Sequence, residues 1–165
     1  MIYDAYVNDL FTYGLYLGFV KESVKDAIHD IFLKLATNRS FLDNTENIKF
    51  YLFKSLKNRL IDTHKNKKEH VPLKAVEINL ETPFNMTVNL EELLIEQEKK
   101  LQIKNEIEKM LDTLTPRQRE IIYLRYVHEY DYKQISELLQ ISVHGCHKLV
   151  SKAILSLREK FDPKR

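Results

Sequence analysis

Three helix-start signals follow one another between Thr115 and Ser142, and they restrict this part of the chain to a run of short helices. Thr115-Pro116-Arg117-Gln118 offers a hydroxyl N-cap and a glutamine placed to bond back to it. Its proline falls at the first helical position, where a missing N–H costs nothing. Asp131-Tyr132-Lys133-Gln134 repeats the idea. Ser142 comes after the tight connection Gln140-Ile141 and can cap a last helix. The signals predict a helix from Pro116 to about Val127, a short one from Tyr132 to Leu139, and a last one from Val143 to about Lys160. Only 3 glycines and 4 prolines interrupt 165 residues, and no stretch alternates like a strand.

The same reading extends upstream. Val24, Ala27, Ile28, Ile31, Phe32 and Leu35 follow one apolar helix face over 24–36, with Ser23 as the expected N-cap. Ile48 to His64 is a second helix, with Tyr51, Leu52, Leu56, Leu60 and Ile61 on its core side. Residues 3–20 are aromatic and apolar at mixed spacing, and Gly14 and Gly18 weigh against a continuous helix there. Residues 37–47 read as a polar loop holding Phe41 and Leu42. Leu90 to Leu111 reads as one strongly charged helix. Between them, 66–89 has two prolines and no helical period, and is expected to be a flexible linker. The expected fold is therefore all-α: two small helical domains, 1–65 and 90–165, on either side of that linker.

Charge is distributed in blocks. Residues 1–53 carry 5 Lys/Arg and 7 Asp/Glu, 54–70 carry 6 and 2, 71–141 carry 9 and 13, and 142–165 carry 6 and 2. Two short basic blocks in an acidic chain fit two separate polyanion contacts, one per domain, and equally fit two solvated helix faces. Cys146 is the only cysteine, so neither an internal disulfide nor a cysteine-based zinc site can form. His144 and His147 lie three apart on a helix, but no Asp, Glu or Cys stands at a useful spacing beside them. No metal or other cofactor is expected. No phosphate-binding glycine loop and no nucleophile–base arrangement points to an enzyme or a small-molecule substrate. The N-terminus lacks the pattern of a signal peptide, and no run approaches a membrane span, so a cytoplasmic chain without membrane insertion is expected.

Function concentrates in Asp131 to Arg158. A short helix, a three-residue turn and a second helix make a helix-turn-helix. Ile135, Leu138, Leu139, Ile141, Val143, Val150, Ile154 and Leu157 can share its core, and Cys146 faces inward as a small hydrophobe. His144, His147, Lys148, Ser151 and Lys152 remain on one outer face of the second helix. A major groove accepts one helix, and the first turns of that helix reach base edges. An ordinary helical hairpin with a solvated face is the alternative.

The run LTPRQREIIYLRYVHEYDYKQISELLQISVHGCHKLVSKAILSLRE, Leu114 to Glu159, resembles region 4 of sigma-70 family transcription factors. KDAIHDIFLKL (Lys25 to Leu35) and YLFKSLKNRLID (Tyr51 to Asp62) resemble the acidic-aromatic and aromatic-basic helices of region 2. The order of the two, without a middle domain, is similar to the extracytoplasmic-function (ECF) group, and the phrasing ISVHG…VSKAILSLRE resembles members from Bacteroidetes. The resemblance implies a sigma factor that binds core RNA polymerase and directs promoter recognition, melting and initiation, held in check by an anti-sigma factor. It implies that Asp26, His29, Asp30, Phe32 and Leu33 meet polymerase, with His29 standing where the family usually has Gln. It places Phe41, Phe53, Asn58, Arg59, Asp62 and Lys65 at the −10 element, and His144, His147, Lys148, Ser151 and Lys152 at the −35 element. Stacking platforms, base-edge readers and phosphate-holding cations are what strand opening requires. Phe53, taken alone, fits the core equally well. Gly145 and Cys146 replace the hydroxyl residue and valine usual in the recognition helix, so its contact set differs from a typical member's.

Two other readings stay open on sequence. A stand-alone helix-turn-helix regulator leaves the basic block at 54–70 unexplained. An adaptor that rides on polymerase without touching promoter bases would tolerate the glycine in the recognition helix.

Overall fold

The computed structural model describes residues 1–38, 40, 47–68 and 84–162, and for Lys68 the backbone only. Among the described residues every regular element is helical and there is no strand. The chain divides into two compact units, Met1–Pro83 with Glu137–Gln140, and Phe84–Ser136 with Ile141–Arg165.

In the first unit, α1 (Ile2–Tyr16), α2 (Lys21–Thr37) and α3 (Ile48–Lys68) pack pairwise against one another. Leu10, Tyr13, Val24, Leu52, Phe53 and Leu56 are fully buried between them. Each such aliphatic side chain stabilises the fold by about 1.5–3 kcal/mol relative to exposure. The glycines that weighed against α1 have separate jobs. Gly14 is buried where a Cβ would lie 2.6 Å from Cγ1 of Val24, so its missing side chain is what lets α1 and α2 close. Gly18, at φ 85°, ends the helix just past its C-cap Leu17, its N–H donating to the Leu15 carbonyl at 2.9 Å. Helix α2 begins three residues before expectation: its N-cap is Val20, with no side-chain hydrogen bond, and Ser23 lies inside the first turn. Helix α3 runs on to Lys68, into the stretch read as linker, of which 69–83 lie outside the described residues.

The second unit holds α4 (Gln97–Asp112), α5 (Pro116–Ile122), the part of α6 (Tyr132–Leu139) up to Ser136, and α7 (Val143–Phe161), with a π-helical turn at Tyr123–Val127. Phe84, also expected in the linker, is fully buried in this unit: its ring lies 5.5 Å from that of Tyr123, and its carbonyl accepts from Nε of Arg119 at 2.8 Å. Met86 and Val88 pack on Leu111, Leu114 and Ala153. Helix α4 starts at Gln97, not Leu90. Before it, Asn89 Oδ1 accepts from the Glu91 N–H at 3.0 Å in a turn, and Leu93 and Leu94 are exposed. Good helix formers do not make a helix where no apolar surface holds one side of it.

Both expected capping boxes are present. The Gln118 N–H donates to Thr115 Oγ1 at 3.2 Å while the Thr115 N–H donates to Gln118 Oε1 at 2.9 Å. Gln134 and Asp131 exchange the same pair at 2.8 and 3.0 Å. Helix α5 gives way to the π turn at Tyr123, where the His128 N–H reaches back five residues to the Tyr123 carbonyl. This widening leaves Tyr123 and Leu124 buried while Tyr126 and Val127 stay exposed.

Candidate nucleic-acid and partner interfaces

The first candidate surface is the outer face of α7. Ser142 Oγ accepts from the Gly145 N–H at 3.0 Å, which fixes where the helix starts and hence which residues turn inward. Gln140, at φ 53°, turns the chain between α6 and α7. Cys146, Val150 and Ala153 are buried, and His144, His147, Lys148, Ser151 and Lys152 are all exposed on the other side. Burial pushes the Cys146 thiol up from its ordinary value; the Arg117 charge and a backbone hydrogen bond act less strongly the other way. Ile135, Leu138, Leu139 and Val150 are buried as expected, but Val143 is 43% exposed: as the first residue of α7 it stands outside the inward stripe.

Sequence reasoning missed how His147 is held. Its ring lies 3.9 Å, centroid to centroid, from Tyr132 at the start of α6, and the Arg125 guanidinium sits 4.8 Å from the centroid of the same tyrosine. Arg125 is tied in turn to the Tyr130 carbonyl at 2.9 Å. The available signal was an aromatic residue at the first position of the first helix of the motif.

The second surface is a groove of about 740 Å³ between α1 and α2. Asp26, His29, Phe32 and Leu33 line it together, with Tyr3, Val7 and Phe11 opposite. Phe32 makes an edge-to-face contact with Tyr3 at 4.9 Å, and Leu33 is 55% exposed. This is an apolar floor with a charged rim, the composition of a protein-binding patch. Asp30, expected with this group, does not line the groove.

The third surface is a polar hollow of about 240 Å³ between α2 and α3. Asn58, Arg59 and Asp62 line it, as do Tyr51 and Ser55 from α3 and Asp30 and Lys34 from α2. Arg59 donates to Asp30 Oδ2 through Nη2 at 2.6 Å and Nε at 3.1 Å. Two expectations are corrected here. Phe53 is 0% exposed and stacked on Tyr13 at 4.9 Å, so it fills the core and offers no face to a base. Tyr51, expected in the core, is half-buried at the hollow instead. Lys65 is exposed near the end of α3, and Phe41 lies outside the described residues.

Residues 104–157 match the family model described as Sigma-70, region 4. That span holds the helix-turn-helix and the exposed face of α7. No curated protein sequence matches the chain. Several solved structures share its fold, two of which are described here in turn. One is the sigma factor RpoE in complex with the anti-sigma factor NepR from Bartonella quintana, 18% identical over 99% of this chain and 96% of that one, with a TM-score of 0.59. The other is CnrH in complex with the cytosolic domain of CnrY, 15% identical over 99% of this chain and 87% of that one, with a TM-score of 0.50. The comparisons lend no support to the Bacteroidetes-like character of the recognition-helix phrasing.

Proposed function

We propose that this chain is a sigma factor of the extracytoplasmic-function type, which binds core RNA polymerase and directs promoter recognition, DNA melting and initiation without chemistry of its own. The observation that carries the reading is the outer face of α7. Five polar or basic side chains are exposed on one helix, in the second half of a capped helix-turn-helix, inside the span that matches region 4. Such a helix fits a major groove, with His144 and His147 in its first turns toward base edges and Lys148 and Lys152 toward phosphates. Residues 90–165 then serve the −35 element and 1–65 serve polymerase and the −10 element, with 66–89 between them.

In the first unit, the groove holding Asp26, His29, Phe32 and Leu33 is the polymerase-binding surface, and the hollow with Asn58 and Asp62 takes an unstacked base. Because RpoE was solved with the anti-sigma factor NepR, an anti-sigma factor is the natural regulator of this chain as well. The site of action is the cytoplasm, where polymerase works.

The test is run-off transcription with core polymerase on genomic template libraries, with and without the chain. The expected result is new, promoter-dependent transcripts whose upstream sequences share two short elements. Tight binding to duplex DNA without polymerase, and no such transcripts, would favour a stand-alone regulator. Binding to polymerase with no promoter-dependent product would favour the adaptor.

A further inference from the structure

The first helix of the helix-turn-helix reaches the outer face of the second at His147. The imidazole lies 3.9 Å, centroid to centroid, from the ring of Tyr132, at an interplanar angle of 38°. Tyr132 is half-buried and is the first residue of α6, directly after Asp131, whose capping box with Gln134 fixes the backbone there. The Arg125 guanidinium lies 4.8 Å from the centroid of the same tyrosine and is itself tied to the Tyr130 carbonyl at 2.9 Å. On the other side, Ser142 caps α7 and fixes its start. Each ring is therefore carried near a helix start whose register a capping side chain sets.

We propose that Tyr132 is a positioning residue for promoter recognition: it holds the His147 ring in one orientation, and through that ring it sets base preference at one position of the −35 element. The proposal rests on the reading of α7 as the helix that enters the major groove.

A lone side chain on an exposed helix face samples several rotamers, and binding has to order it. The lysines of α7 can work that way, because an ammonium meets a phosphate as a point charge on a flexible stem. A base edge is more demanding. It presents donors and acceptors at fixed places in the groove, and an imidazole has only two nitrogens, both in the ring plane, with which to meet them. Such a contact discriminates between bases only when the direction of the ring is set beforehand. At so short a centroid distance the tyrosine lies over a face of the imidazole, which leaves the nitrogens at the ring edge to form hydrogen bonds. A tyrosine suits the task because two torsions place its whole ring. His147 is exposed, so the contact adds little to the core and its use lies at the surface.

The test uses the full-length chain with core polymerase and a promoter recovered by run-off transcription. Holoenzyme affinity is measured for that promoter and for every single base-pair substitution in its −35 element. His147→Ala is expected to flatten the preference at one base pair. Tyr132→Leu is expected to lower the preference at that same base pair about two- to tenfold, the span of one side-chain ordering cost, and to leave preferences elsewhere within twofold. Tyr132→Phe keeps the ring and is expected to retain wild-type preference. Adding Tyr132→Leu to His147→Ala should change the preference no further. A preference is a ratio of two affinities measured on one preparation, so partial unfolding of a variant cancels from it.

Unchanged base preference in His147→Ala would overturn the proposal. So would a loss from Tyr132→Leu shared equally by all the promoter variants, because a merely structural role lowers every affinity together. A loss from Tyr132→Phe would overturn it too, since the hydroxyl and not the ring would then be the working group. A wild-type chain that yields no promoter sinks the sigma-factor reading and this proposal with it, an outcome recognisable before any variant is made.

Discussion

The spacing of His144, His147, Lys148, Ser151 and Lys152 predicts one shared outer face, and each is exposed on that face of α7. At this scale the strongest expectation concerns the two lysines. If they hold phosphates, replacing both with alanine should weaken promoter binding by the holoenzyme and flatten its salt dependence by roughly one unit of log–log slope per lysine, since each phosphate contact releases counterions. An unchanged slope in a titration of affinity against salt would remove them from the interface. Residue chemistry also explains the misses. Phe53 could not be assigned from sequence because an aromatic ring serves a base stack and a core equally well; its stacking on Tyr13 decides for the core. Gly14 counted against a helix on propensity, yet its contact with Val24 shows that an absent side chain can be what packing requires. Cys146 is buried with its thiol pushed up, so it belongs with the hydrophobes of α7 rather than with reactive cysteines.

Elements were legible wherever their ends carried chemistry. The starts of α5, α6 and α7 fall where Thr115, Asp131 and Ser142 said they would, because a capping side chain satisfies backbone donors within three residues and needs no tertiary partner. The Thr115 box is therefore expected to matter to the unit that contains α5. Thr115→Ala should lower its stability by about 1 kcal/mol, measured as a shift in the denaturant midpoint at constant slope. A change in slope instead would mean that the cap acts on compactness and not on the helix. Elements without such signals were misplaced. Helix α2 starts at Lys21 on no side-chain cap, α4 loses its first turns, and the π turn after α5 had no marker in the sequence. In each case the boundary depends on which apolar groups find a neighbour, a question that propensity does not answer.

On the scale of the whole molecule, the proposed function divides labour between a duplex-reading unit and a strand-opening unit. Asn58→Ala separates them: it should leave binding of duplex −35 DNA unchanged and impair open-complex formation, because Asn58 lines the hollow of the first unit and takes no part in the face of α7. Equal losses in both assays would contradict the division. The all-α class, the helix-turn-helix with its caps and the exposed character of its outer face were determined by sequence, since all three rest on interactions between residues a few positions apart. Tertiary structure decided what lies across a gap between helices. It set Phe84 into the second unit, stacked Phe53 on Tyr13, and brought the His147 ring against Tyr132 at a tilt. It also split α2 into one face toward α1 and another, bearing Asp30, toward Arg59. A helix periodicity says that a residue has a face, but only the neighbour that packs there gives the face its partner.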